Sequence, residues 1–182
     1  MSEKYKVRDQ SKLHFITFAV VRWTKVFTVE KYVNIVVESL KFCQKEKGLE
    51  VYAWCVMPNH VHFILGSKIN NINDIVRDFK KYTSVHITRA MELDASEEGR
   101  RMLDIFKDEA QRSNKHVKYK FWQNQYHPIE LSTNKMMDQK LDYIHENPVK
   151  AGLVELAEDY KYSSAKDYHT SEKGLVEIEF IE

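Results

Sequence analysis

The feature that most constrains this chain is a two-residue break, Pro58-Asn59, between runs rich in strand-forming residues at 49–57 (LEVYAWCVM) and 60–65 (HVHFIL). A turn that short leaves the second run little choice but to fold back beside the first as an antiparallel strand. An earlier run from Leu13 to Arg22 (LHFITFAVVR) also reads as a strand. Between them, Thr28 to Lys47 carries Val29, Val33, Val36, Val37, Leu40 and Phe42 near helical spacing, with Gly48 suited to the residue just past a helix end. A helical pattern resumes at Asn73 with Ile75, Val76, Phe79, Tyr82, Val85, Ile87 and Met91. The polar stretch 92–101 interrupts or extends it, and Leu103, Ile105 and Phe106 can anchor a further turn or two. Lys118 to Leu131 reads as a strand, with a break at His127-Pro128, and Asn134 to Glu146 as a helix with Met137, Leu141 and Ile144 on its apolar face. The first six elements give the split βαβ order of a ferredoxin-like α+β domain. Such a domain has an antiparallel sheet with helices on one face and the other face free for a ligand. A C-terminal helix carrying Tyr143 follows.

At 182 residues the expectation is one domain, 1–182, with its core over about 12–154 and a tail over 155–182. The formal net charge is +1, so a nucleic-acid partner cannot be argued from overall charge, and any basic surface must be local. Cys43 and Cys55 lie far apart, which excludes a Cys-x-x-Cys zinc or redox motif, and two reduced buried thiols are expected. The N-terminus leads into polar residues without the apolar core of a signal peptide, and no apolar run reaches the roughly 18 residues needed to cross a bilayer. A soluble, cytoplasmic protein with no membrane partner is expected.

Chemistry enters at His60-Val61-His62. Side chains alternate along a strand, so His60 and His62 emerge on one face while Val61, Phe63 and Leu65 enter the other. Two imidazoles at that spacing on a rigid strand can grip one divalent cation. They can equally be strand histidines without a ligand. The second informative stretch runs from Leu141 to Val154. On a helix, Tyr143 and Asn147 share a face and His145 points away from both. A tyrosine oxygen beside a metal-bound phosphate can act as nucleophile, and a neighbouring amide oxygen can supply a third ligand. Against this, Tyr143 can be a core aromatic, and Asn147-Pro148 has the look of an N-cap with Pro at the first position of a short new helix.

The strings MPNHVHFIL, FKKYTS, FWQNQYH, YIHENPVKAGLV and YKYSSAKDY occur in that order between Met57 and Tyr168, within a resemblance that covers about residues 12–170. Together they resemble the REP-associated tyrosine transposases, relatives of the insertion-sequence-200-type transposases within the HUH endonuclease superfamily. The resemblance implies a ferredoxin-like domain, a Mg2+ or Mn2+ cofactor, and cleavage of single-stranded DNA at hairpin-associated sites. It places the metal-binding histidines at His60 and His62, the nucleophile at Tyr143, and the residue completing the metal site at Asn147. It also implies a possible homodimer, since the tyrosine helix reaches across a two-fold in dimeric relatives, which leaves cis or trans assembly open. Residues 93–112 match no motif of the family.

On that footing Tyr143 would attack a phosphodiester, giving a 5′-phosphotyrosine and freeing a 3′-hydroxyl, and a second 3′-hydroxyl could reverse the step to join strands. Tyrosine ordinarily ionises near pH 10, so a proton must leave, with His127, Glu146 or water as the acceptor. Two imidazoles suit Mn2+ or Zn2+ better than Mg2+, while cell abundance favours Mg2+. Local cations for DNA would be Arg77, Lys80, Lys81 and Arg89 on the second helix, and Lys115, Lys118 and Lys120 in a basic stretch that also carries an aromatic. Trp122 lines the cleft or belongs to the core, and the basic stretch can also be a solvated face. Two other readings stand beside strand transfer. One is a non-catalytic hairpin-DNA-binding protein of the same ancestry; the other is a metal-dependent phosphodiesterase in which water attacks.

Overall fold

The computed structural model describes residues 7–113, 117–124 and 128–181. The element order is β1 (His14–Ala19), two 3-10 turns (Val21–Trp23 and Val26–Thr28), α1 (Glu30–Lys47), β2 (Leu49–Met57), β3 (His60–Ser67) and α2 (Ile72–Asp94). There follow α3 (Glu97–Arg112), β4 (Ile129–Glu130), α4 (Asn134–Lys150), a 3-10 turn (Ala157–Asp159) and α5 (Ala165–His169). The strands form one antiparallel sheet in the order β2-β3-β1-β4, the arrangement expected of a ferredoxin-like α+β domain.

The Pro58-Asn59 break closes the β2–β3 hairpin, with Met57 opposite His60. A bulge falls between Val51 and Ala53. It switches the strand's alternation, so that Val51, Trp54 and Val56 all face the α1 and α2 side while Ala53, Cys55 and Met57 face the other. Gly48 ends α1 at φ +67°, a conformation a Cβ would disfavour. Val33, Val36, Leu40 and Cys43 point inward from α1, and Phe42 lies off that stripe and is exposed. Tyr82 and Val85 fall off the inward stripe of α2 for the same reason.

Three expectations need correction. Residues 97–112 are a full helix and not a turn or two: Ala95 breaks α2 in a left-handed conformation, and the Ser96 side chain caps α3 by accepting from Gly99 N–H. Met102, Leu103 and Phe106 bury that helix against the rest of the core. The strand expected over 118–131 shrinks to Ile129–Glu130 plus a bridge between Trp122 and Val20. Phe121 and Trp122 are consecutive residues and both buried, which a regular half-buried strand does not allow. Finally, the sheet's second face is not bare. Ile144 of α4 packs there with Phe15, Ala53, Cys55, Met57, Ile64 and Leu131.

Described segments beyond 154 bond to the sheet. Val56 N–H donates to the Tyr162 carbonyl and Glu179 N–H to the Val51 carbonyl, so the last segments pair along β2 and cover that sheet edge. No helix among the described residues is long and apolar enough to cross a membrane.

Candidate active site on the second face of the sheet

The β1–β3 register sets Thr17 opposite His62 and Ala19 opposite His60. Because alternation sends Val61 and Phe63 into the α1/α2 core at 0% exposure, both histidines are forced onto the α4 face. Their ring centroids stand 4.6 Å apart. Thr17 Oγ1 lies 2.7 Å from His62 Nδ1, and the Asn59 amide oxygen lies 2.6 Å from His60 Nδ1. An amide oxygen can only accept, so in this assignment His60 carries its proton on Nδ1 and keeps its lone pair on Nε2. Burial pushes the His60 imidazolium down to a pKa of about 4. It pushes His62 to about 3, with the charges of His60 and Lys140 adding to the effect. Both rings are therefore neutral near pH 7, the state a metal ligand requires.

His62 Nε2 is buried without a hydrogen-bond partner among the described residues. Such an orphan costs roughly 1–3 kcal/mol unless something binds it. An imidazole that engages Thr17 through Nδ1 can offer Nε2 to a divalent cation when Thr17 accepts the Nδ1 proton. No group of three or more His, Cys, Asp or Glu residues gathers to hold a metal among the described residues. Among the described residues, a further donor could come from an amide.

Helix α4 brings the tyrosine. Thr133 caps its start by accepting from Met136 N–H (3.2 Å). Ile144, at 0% exposure, anchors the helix to the sheet. His145, one residue on, is buried and reaches Ser164 with Nε2 (2.9 Å), while Ser164 Oγ also accepts from Trp54 N–H (3.0 Å). This chain of contacts ties α4 to β2, and burial lowers the His145 pKa to about 4, with His169 adding. Tyr143 is consequently presented at the open edge. It is 41% exposed, with its ring 5.2 Å from that of His62 and 5.8 Å from that of Phe15.

Asn147 does not begin a new helix. The helix runs through Asn147 and Pro148 to Lys150, and its true end is a Schellman turn in which Leu153 N–H donates to Pro148 and Gly152, at φ +67°, donates to Val149. Asn147 Nδ2 donates to the Tyr143 carbonyl (2.6 Å), which leaves Oδ1 uncommitted one helical turn beyond the tyrosine.

The expected DNA cations that fall among the described residues make contacts outside the histidine–tyrosine pair. Arg77 is paired with Asp74 and Asp78, Lys118 with Glu92, and Lys120 with Glu109. Lys80 donates to the Gln123 carbonyl (3.3 Å) and sits over Phe18. Lys81 lines a cavity of about 660 Å³ between α1 and α2, on the opposite side of the sheet. Trp122 is 6% exposed and donates to Thr83 Oγ1, so its indole is a core group with no free face for a base. Lys115, Tyr126 and His127 lie outside the described residues.

Sequence reasoning missed the residues that surround the pair. Lys140 stands three positions before Tyr143 on α4, with Nζ 4.7 Å from the Phe15 ring centre and 5.4 Å from that of Tyr143. Helical spacing alone could have found it. Thr17 depends on the β1–β3 register, which no local pattern reveals, whereas Asn59 directly precedes His60. Trp23 packs edge to face on His60 at 5.6 Å from a turn with no sequence signature.

The site therefore joins a two-histidine strand to a tyrosine-bearing helix on a ferredoxin-like sheet. The model of the IS200-like transposase family matches residues 7–103, and the chain belongs to that family. The match includes both histidines and stops short of Tyr143. A Haemophilus influenzae protein that carries the provisional name REP-associated tyrosine transposase is 28% identical over 162 residues, which cover 86% of this chain and 82% of that one. Among solved structures, that of a REP-associated tyrosine transposase bound to a REP hairpin covers 100% of this chain and 94% of its own, with a TM-score of 0.62 at 18% identity. At that identity the likeness shows the fold.

Proposed function

We propose that the chain cleaves single-stranded DNA beside a hairpin, and can rejoin it to another strand, with Tyr143 as the nucleophile. The observation that carries this reading is the placement of a half-exposed Tyr143 against the buried, neutral His62 at 5.2 Å within one chain. That the solved relative of like fold holds a REP hairpin supports hairpin DNA as the partner.

His60 and His62, through their Nε2 atoms, and Asn147, through Oδ1, would hold a divalent cation, Mg2+ or Mn2+. When bound, such a cation neutralises a non-bridging phosphate oxygen and makes phosphorus more electrophilic. Thr17 and Asn59 orient the two rings through Nδ1. Tyr143 Oη attacks phosphorus, a new P–O bond to tyrosine forms, and the P–O3′ bond breaks. The departing O3′ takes up a proton, and the phenol proton leaves to water, which reaches Tyr143 at the open edge. Lys140 supplies a cation beside the attacking ring, where phosphate charge would arrive. The ester conserves the bond energy, so a second 3′-hydroxyl can reverse the step and join strands without another energy source.

The test is a denaturing gel after incubation with labelled hairpin DNA carrying single-stranded flanks. Wild type should give protein that migrates with label, Tyr143→Phe none, and His60→Ala or His62→Ala none while still binding DNA within a few-fold. Chelation should abolish the adduct and Mn2+ or Mg2+ should restore it. Cutting without any adduct would replace this reading with attack by water, and binding without cutting would leave a hairpin-binding protein.

A further inference from the structure

Between β1 and α1 the backbone takes a course ordinary residues avoid. Arg22 and Trp23 both lie in the left-handed region, at φ 52° and 53°. Two such residues in succession persist only where their surroundings over-determine them, and strain of this kind collects at binding sites. The restraints can be named. Val20 N–H donates to the Asn59 carbonyl (2.9 Å), Val21 N–H to Phe121 (2.9 Å), and Trp23 N–H to Val20 (3.0 Å). The Arg22 guanidinium reaches across to α3, bonding Asp108 at 2.7 Å and approaching Glu109 at 3.4 Å.

The outcome is an indole held in the open. Trp54 and Trp122 are buried at 0% and 6%, whereas Trp23 is 55% exposed. Its ring nevertheless touches the reaction centre, edge to face with His60 at 5.6 Å. A turn with two successive left-handed residues holds this indole half-exposed against His60, with a face free to stack on a planar ligand.

Resting on the reading of the chain as a DNA-processing enzyme, we propose that Trp23 is a stacking platform for a nucleobase of the single strand, one that flanks the phosphate bound at His60 and His62. Every base has a π face, so the platform takes any sequence and serves to hold the strand in place. Its closeness to His60 assigns it to a nucleotide neighbouring the reacting phosphate and not to the distant hairpin stem. Helix α3 gains a role here, because its Asp108 and Glu109 hold Arg22 and thereby the turn that presents Trp23.

The position of the three tryptophans makes the test direct, since a change in indole emission on binding reports mainly on Trp23. The probe is a DNA hairpin with single-stranded adenine flanks on both sides, compared with the same hairpin carrying abasic flanks, all in chelator so that nothing is cut. The adenine flanks should quench wild-type emission and the abasic flanks should not. Trp23→Phe should bind within about 2-fold and lose the quench, while Trp23→Ala should bind about 10-fold more weakly with an unchanged melting temperature. Equal quenching by abasic flanks, or undiminished binding by Trp23→Ala, overturns the platform; a Tyr143 adduct formed by the same protein once Mn2+ replaces the chelator then shows that the DNA-processing reading stands. Failure of wild type to bind either hairpin overturns both.

Discussion

His62 illustrates how one residue's chemistry depends on a partner that its own sequence neighbourhood does not reveal. Its exposure was expected from alternation, yet it is 3% exposed, because α4 covers the face it points to. That burial keeps the ring neutral, and Thr17 orients it through Nδ1. Thr17→Val keeps the branched shape a strand favours and removes only the hydroxyl. The variant should need about 10- to 100-fold more Mn2+ for half-maximal cleavage, with a modest loss of stability from the unpaired Nδ1. An unmoved Mn2+ titration would mean that Thr17 does not position the ligand. The shared face of the His-x-His pair, and that of Tyr143 with Asn147, follow from local periods, while the roles of these residues were implied only by the resemblance. Thr17 and Trp23 were not legible, because one depends on strand register and the other on a strained turn.

At the scale of elements, α4 carries the tyrosine and shows why a local rule can fail. Asn-Pro normally starts a helix, but here Pro148 is buried and Ile144 is anchored in the core, so packing carries the helix past the proline. Asn147→Ala therefore tests ligation without a lost cap. Ala's better helix propensity offsets the lost bond to the Tyr143 carbonyl, so stability should stay within about 1 kcal/mol of wild type. The metal titration of cleavage should shift right by about 10- to 100-fold. A normal titration would remove Asn147 from the site. Among the other elements, the β2–β3 hairpin and α1 were readable from short-range signals. Helix α3 was not, since its polar 92–101 approach hides the buried Met102, Leu103 and Phe106. The strand over 118–131 was overread because Phe121 and Trp122 belong to the core and not to a ladder.

For the whole molecule, buried histidines make stability depend on pH. His145 is neutral in the folded state with a pKa of about 4 and ordinarily titrates near 6.5, so the unfolded chain binds the extra proton first. Its contribution is complete above about pH 6.5 and is lost as the pH falls towards 4, amounting to about 3 kcal/mol at most. His60 and His62 act in the same direction. Urea midpoints should fall between about pH 7 and pH 5, and less steeply for His145→Gln, whose amide can still reach Ser164. A His145→Gln profile as steep as that of wild type would show that His145 is not held neutral and buried in solution. The overall sheet order followed from the element order, but the covering of its second face by α4 and of its β2 edge by the last segment did not, because both are long-range packing outcomes. That packing also sets Tyr143 against the histidines of its own chain, so mixing Tyr143→Phe with His62→Ala should restore no cleavage; restored cleavage would show that a partner's tyrosine serves the site. The most direct measurement of the central claim is mass spectrometry of the covalent protein–DNA product after digestion of both. The account predicts a nucleotide phosphate attached to Tyr143, and attachment to any other residue, or none in a preparation that cuts DNA, would contradict it.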